Sequence, residues 1–139
     1  MSRALRVLVA DDQAPFRKAA RTVLEVTCEY EVVGEVTSGE EAVDAIEALA
    51  PDVVLMDVKM GGIGGIEATR RILAARPETL VVLVSSYREE DVPASAAESG
   101  AVAFVSKDRF NASTLTTLLS SPPKAPAPRG RRERPSRDD

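Results

Sequence analysis

Residues 5–12 read LRVLVADD: an apolar run of strand length that ends in two acids. The same design returns along the chain. Glu31–Val36 (EVVGEV), Val53–Met56 (VVLM), Leu80–Val84 (LVVLV) and Ala101–Val105 (AVAFV) are the further runs. Most are near-continuous in Val and Leu, the pattern of strands buried on both faces of a parallel sheet. Helical periodicities separate them. The first spaces Phe16, Ala20, Val23, Leu24 and Thr27 along one face. The second opens on the capping box Ser38–Glu41, turns Ala42, Ile46 and Leu49 inward and stops at Pro51. The third spaces Ile66, Thr69, Ile72 and Leu73 and ends before Pro77. The fourth spans Arg88–Ser99 with a thin apolar face of Val92 and Ala96, ended by Gly100. The fifth takes Asn111 as N-cap and presents Leu115, Leu118 and Leu119. Strict alternation of strand and helix predicts an α/β fold: a doubly wound parallel sheet of five strands with five helices on its two faces.

Composition narrows the chemistry. The chain has 139 residues, enough for one domain. Apolar residues make up 44% and aromatics 4%, with no Trp, so the core is aliphatic. There is no His, which excludes His-ligated metals and His acid–base catalysis, and the single Cys28 excludes an internal disulfide. No apolar run approaches the ~20 residues that span a bilayer, so no membrane partner and a cytoplasmic location are expected. Charge is uneven. Residues 122–139 hold six basic and three acidic residues and five Pro, whereas residues 1–121 hold 12 basic and 19 acidic. The expected organisation is a globular domain over 1–121 and a disordered Pro/Arg-rich tail over 122–139.

In a doubly wound sheet the ligand site lies beyond the carboxyl ends of the strands. Asp11 and Asp12 follow the first strand, Asp57 the third, Ser85 the fourth and Lys107 the fifth. Three carboxylates on one rim repel one another and raise at least one pKa unless a cation joins them. Mg²⁺, a hard ion that takes oxygen ligands, suits that set. A carboxylate beside Mg²⁺ and an ammonium can attack phosphorus, with the metal, Lys107 and the Ser85 hydroxyl receiving charge on the equatorial oxygens. Taken singly, each residue has a plainer reading: Asp12 as a helix N-cap, Asp57 as a turn residue, Ser85 as loop, Lys107 as a solvated lysine. The five together on one rim favour phosphoryl transfer onto an aspartate. The glycines of GGIGG (61–65) fit neither the dinucleotide fingerprint nor the P-loop pattern. They read as a turn that lets backbone approach Asp57.

VLVADDQ, VVLMDVKM, GIEATRRI, VVLVSSY and GAVAFVSKD, in that order, resemble the receiver domain of bacterial two-component response regulators, over Arg3 to about Ser120. The likeness is strongest to the subfamily that usually carries a helix-turn-helix output domain. The resemblance implies a flavodoxin-like sheet of order 2-1-3-4-5. It implies Asp57 as phosphoacceptor, served by a sensor histidine kinase or phosphotransfer protein. It implies Mg²⁺ held by Asp11, Asp12, Asp57 and the Lys59 backbone carbonyl. Lys107 would pair with Asp57 and then with the phosphoryl group. Ser85 would move toward that group, and the switch would run through Ser85 and Phe104, with Tyr87 similar to the switch aromatic in chemistry but not in place.

The sequence departs from the family in three ways. Gly61 stands where a Pro often follows the acceptor, which implies a looser loop. Asp108 stands where a Pro often follows the strand-five Lys, which implies a less fixed turn. No output domain is expected on this chain, hence no DNA-binding domain, a stand-alone receiver acting on a downstream protein target, and a weak homodimer at most. A phosphate sink, a phosphorylation-independent binding module, a haloacid-dehalogenase-like phosphatase and a nucleic-acid contact through the Arg-rich tail are the competing functions. The phosphatase class wants Asp-x-Asp after its first strand, and here that strand ends Asp-Asp-Gln. The expectation is therefore a signalling protein and not an enzyme.

Overall fold

The computed structural model describes residues 4–86 and 94–120. Tyr87, the start of the fourth predicted helix and the 122–139 tail lie outside them. The described chain runs β1 (Leu5–Ala10), α1 (Ala14–Glu25), β2 (Tyr30–Val36), α2 (Gly39–Leu49), β3 (Val53–Asp57), α3 (Gly64–Ala75), β4 (Leu80–Ser85), α4 (Ala94–Glu98), β5 (Ala103–Ser106) and α5 (Ala112–Ser120). The sheet is parallel throughout, in the order β2-β1-β3-β4-β5. This is the predicted flavodoxin-like winding. No helix among the described residues is long and apolar enough to cross a membrane.

Pleating sorts the strand residues into two cores, because successive side chains leave opposite faces. Leu8, Ala10, Val54, Met56, Val81 and Leu83 pack with Ala42 and Ile46 of α2, Ala68 and Ile72 of α3 and Ala96 of α4. Val7, Val9, Val53, Leu55, Val82, Val84 and Val105 pack with Ala20 and Leu24 of α1 and Leu115 of α5. Those buried strand and helix residues are all aliphatic, with Tyr30 the buried aromatic of the second layer.

Helix ends follow local chemistry. The Ser38 hydroxyl accepts from the Glu41 N–H at 3.1 Å, but the Glu41 carboxylate turns to the Thr37 N–H (2.8 Å) and hydroxyl (3.0 Å). The capping box is thus made on one side and shifted by a residue on the other. At the far end of α2, Ala50 sits at φ 45°, a left-handed conformation that costs a non-glycine roughly 1 kcal/mol. The Arg6 guanidinium donates to the Leu49 and Ala50 carbonyls at 2.5 and 2.8 Å there. Asn111 caps α5, its side chain accepting from the Thr114 N–H at 2.8 Å. Predicted extents change: β5 begins at Ala103 and not at Ala101, and α1 ends earlier than its periodicity. Thr27 lies past the end of α1, in a turn closed on the Leu24 carbonyl, since no residue between Leu24 and Tyr30 is buried. Of the fourth helix, the described part is the five residues Ala94–Glu98, ending before Gly100 at φ 97°.

Candidate functional site

The register sets the rim. Val9 pairs with Leu55, and Ala10 with Met56. Two residues beyond the first pair, on the same face of the pleat, stand Asp11 and Asp57. Asp57 pairs with Val84, and Val84 with Val105, so Lys107 arrives on that face as well. The sheet itself brings two acids and an ammonium together.

Asp11 is fully buried, Asp57 is 4% exposed and Asp12 is exposed. One carboxylate oxygen from each lies within 4.8 Å of the others. Asp11 Oδ1 accepts from the Gln13 N–H at 2.8 Å. Asp11 Oδ2 faces the Lys107 ammonium at 2.7 Å, yet no donor is aligned on it for a directed hydrogen bond. The Lys59 N–H reaches Asp57 Oδ1 at 3.4 Å. Burial first, and then the Asp11 charge, pushes Asp57 up to about 6, against the pull of Lys107 and the Lys59 N–H. Three clustered carboxylates, one of them buried with its ionisation opposed, make an all-oxygen donor set that fits a hard divalent cation.

Lys107 makes the expected pair with Asp57 and a second, unpredicted one with Asp11. Its ammonium is 3.7 Å from Asp57 Oδ2 and a full ångström closer to Asp11. The predicted Asp57 pair is therefore the looser of two. Asp12 is not a helix cap, because Gln13 holds that position in α1, without a side-chain cap bond. Ser85 ends β4, buried, and lines the cleft. Phe104 pairs in register with Leu83 and is packed, partly buried, on the layer that includes Met56 and Ala96.

The two loops flanking the site answer the predicted departures. Nothing lies within 4 Å of a side chain built at Gly61, so that part of the loop is open. Its continuation is fastened: Gly62 is at φ 74°, and the Glu40 carboxylate accepts from the Ile63 N–H at 3.1 Å. The Lys107–Arg109 turn, expected to be loose, is closed by a 2.6 Å hydrogen bond from the Ser106 hydroxyl to Asp108 Oδ1. Asp108 thus supplies by hydrogen bonding a restraint that a Pro would supply by its ring.

The rim opens into a cleft of about 570 Å³ lined by Asp12, Gln13, Asp57, Lys59, Ser85 and Lys107, among others. Gln13 was absent from the predicted set. Its signal in the sequence was its place directly after the acid pair. Phe16 packs against the α1 side of the core, as read, and its ring also lies 4.8 Å from the Lys107 ammonium.

Residues 7–120 match the family described as the response regulator receiver domain. The chain belongs to that family. The receiver is 43% identical to the response regulator GacA of Pseudomonas viridiflava over 103 residues, 74% of this chain and 48% of the relative. It is 40% identical to the response regulator UvrY of Escherichia coli O6:H1 over 116 residues, 84% of this chain and 53% of the relative. The chain spans about half the length of the curated relatives it matches. In structure the receiver resembles the signal receiver domain of NarL from Mycobacterium tuberculosis, with a TM-score of 0.78 and 30% identity over 86% of this chain and 97% of that one. It also resembles the response regulator domain of Thermotoga maritima CheB, with a TM-score of 0.71 and 33% identity over 86% and 91%.

Proposed function

We propose that this receiver accepts a phosphoryl group on Asp57 from a sensor histidine kinase or a phosphotransfer protein, and signals by contact with a downstream protein. One observation carries the reading: a buried aspartate whose ionisation is opposed lies within 4.8 Å of two further carboxylates and 3.7 Å from a lysine ammonium, at the mouth of an open cleft. Asp11, Asp12, Asp57 and the Lys59 carbonyl would hold Mg²⁺, which neutralises charge on the phosphoryl oxygens when bound.

An Asp57 carboxylate oxygen donates an electron pair to phosphorus as the bond from phosphorus to the donor's imidazole nitrogen breaks. The imidazole leaves with the bonding pair and takes a proton. The product on Asp57 is an acyl phosphate, and water attack on its phosphorus returns the carboxylate and inorganic phosphate. Lys107 and the Ser85 hydroxyl receive the negative charge that gathers on the transferred oxygens. The new group adds about −1.5 to −2 charge. Phe104 of β5, partly buried against the layer that includes Ala96, would feel a shift of Ser85 and Lys107.

The test is a mass measurement after incubation with Mg²⁺ and acetyl phosphate. One added phosphoryl group is expected in the wild type, and none in Asp57→Ala or without Mg²⁺. A folded wild type that stays unmodified with acetyl phosphate and with a phosphorylated kinase would sink the proposal and leave a binding module that works without phosphorylation. Repeated turnover of a small phosphate ester would favour the phosphatase alternative.

A further inference from the structure

The Lys107 ammonium is held by groups outside the acidic cluster. It donates to Gln13 Oε1 at 3.2 Å and lies 4.8 Å from the centre of the Phe16 ring. Phe16 is itself fixed. Its ring meets that of Phe110 at 5.8 Å between centroids and a tilt of 58°, within the range of favourable aromatic pairs. The Phe110 N–H donates to the Lys107 carbonyl at 3.3 Å. One turn therefore carries both the cation and the ring that steadies its aromatic floor. Gln13 and Phe16 are the cap and first turn of α1, so their positions are set by that helix.

We infer that Gln13 and Phe16 are positioning residues that hold the Lys107 ammonium against Asp11 Oδ2, and so set how readily Asp11 receives a divalent cation. The inference rests on the proposed metal site. The ammonium is 2.7 Å from Asp11 Oδ2, and Mg²⁺ binds oxygen at about 2.1 Å. Two cations that close on one buried oxygen repel strongly. Cation entry and lysine withdrawal are thus one exchange, and the contacts to Gln13 and Phe16 oppose it. Once withdrawn from Asp11, the ammonium has Asp57 as its nearest remaining acid. Loosening its hold should then tighten Mg²⁺ binding.

The experiment is a calorimetric Mg²⁺ titration of the full chain without any phosphoryl donor. Phe16→Leu keeps apolar bulk and removes the ring face, and should tighten Mg²⁺ binding about two- to fivefold, the value of an exposed cation–π contact. Phe16→Tyr keeps the face and should restore wild-type affinity. Gln13→Ala, at an exposed position, should shift affinity in the same direction as Phe16→Leu even if that variant folds poorly. In parallel, the Hε protons of ¹³C-labelled Lys107 should show an upfield ring-current shift that is lost in Phe16→Leu and kept in Phe16→Tyr. Equal or weaker affinity in Phe16→Leu and Gln13→Ala, with the wild type binding, would overturn this inference and leave the proposed function standing. A wild type that binds no Mg²⁺ would overturn both.

Discussion

Gly65, in the first turn of α3, lies directly beneath Asp57. A Cβ placed on it would stand 1.9 Å from the Asp57 carbonyl oxygen, and the Gly65 N–H already donates to the Val58 carbonyl at 3.0 Å. The opposing atoms are backbone, so no side chain can swing aside. The end of β3 and the start of α3 touch because this residue has no side chain.

Gly65→Ala should therefore cost at least about 2 kcal/mol of stability, an overpacking penalty at the high end of its usual range. It should also impair phosphoryl acceptance without altering any charged group. Gly61→Ala, with open space around it, should stay within about 0.5 kcal/mol of wild type. Urea unfolding of both variants, with the acetyl phosphate mass assay, checks the pair. Equal stabilities would show that the backbone contact can relax.

The raised Asp57 pKa makes a signed prediction. The group is pushed from 3.8 to about 6, so between those values the folded state binds more protons than the unfolded. Stability then falls as pH rises through that window and stays lower above it. The shift corresponds to about 3 kcal/mol at neutral pH. Without divalent cations, Asp57→Asn should be more stable than wild type by about 1–3 kcal/mol at pH 7, and the gap should close as pH falls toward 4. A gap that does not change between pH 7 and pH 4.5 in urea titrations would contradict this.

Mg²⁺ should relieve the same repulsion. At about 100 times its dissociation constant, a ligand specific for the folded state adds about 2.7 kcal/mol. Chelation with EDTA should reverse that gain. In Asp11→Asn the gain should largely vanish, because the oxygen facing the site loses its charge. Thermal melts with and without Mg²⁺ are sufficient.

Tyr30 offers a control far from the rim. Its half-buried hydroxyl shares a 2.7 Å hydrogen bond with Thr116 of α5, whose own hydroxyl donates to Glu29 at 3.2 Å. Tyr30→Phe should lose about 1 kcal/mol and leave Mg²⁺ affinity unchanged. A change in affinity would mean that α5 couples to the site more tightly than its contacts imply.

The strand positions were legible because each is a Val- and Leu-rich run, and their carboxyl ends located the acids and Lys107 without further information. The nearer partner of Lys107, Asp11, was not. Which of two acids an ammonium prefers depends on side-chain reach across a pleat, and the spacing of Asp11, Asp57 and Lys107 in the chain carries no trace of it. Phe16 shows the same limit. A helix periodicity says that a ring turns inward against the core; that it also lies beneath a cation depends on what the far end of the chain brings to that spot. The restraint of Asp108 by Ser106 was hidden for another reason: a Ser two residues before an Asp is common, and only the turn geometry makes it a clasp.

Arg6 and Asp52 tie the opposite edge of the sheet. The Asp52 carboxylate accepts from the Arg6 N–H at 2.8 Å, the Asp52 N–H donates back to the Arg6 carbonyl at 2.8 Å, and the Leu80 N–H donates to the Asp52 carbonyl at 3.0 Å. With the Arg6 side chain clamping the end of α2, three neighbouring strands are pinned where they begin and carry polar loops where they finish. Stiffness is thus graded along each strand, like that of a comb held by its spine. A charge added at the open ends cannot be absorbed by sliding the strands past one another; it must be taken up by the loops and by the helices that hang from them, and amide exchange should quicken along each strand from the pinned edge toward the acids.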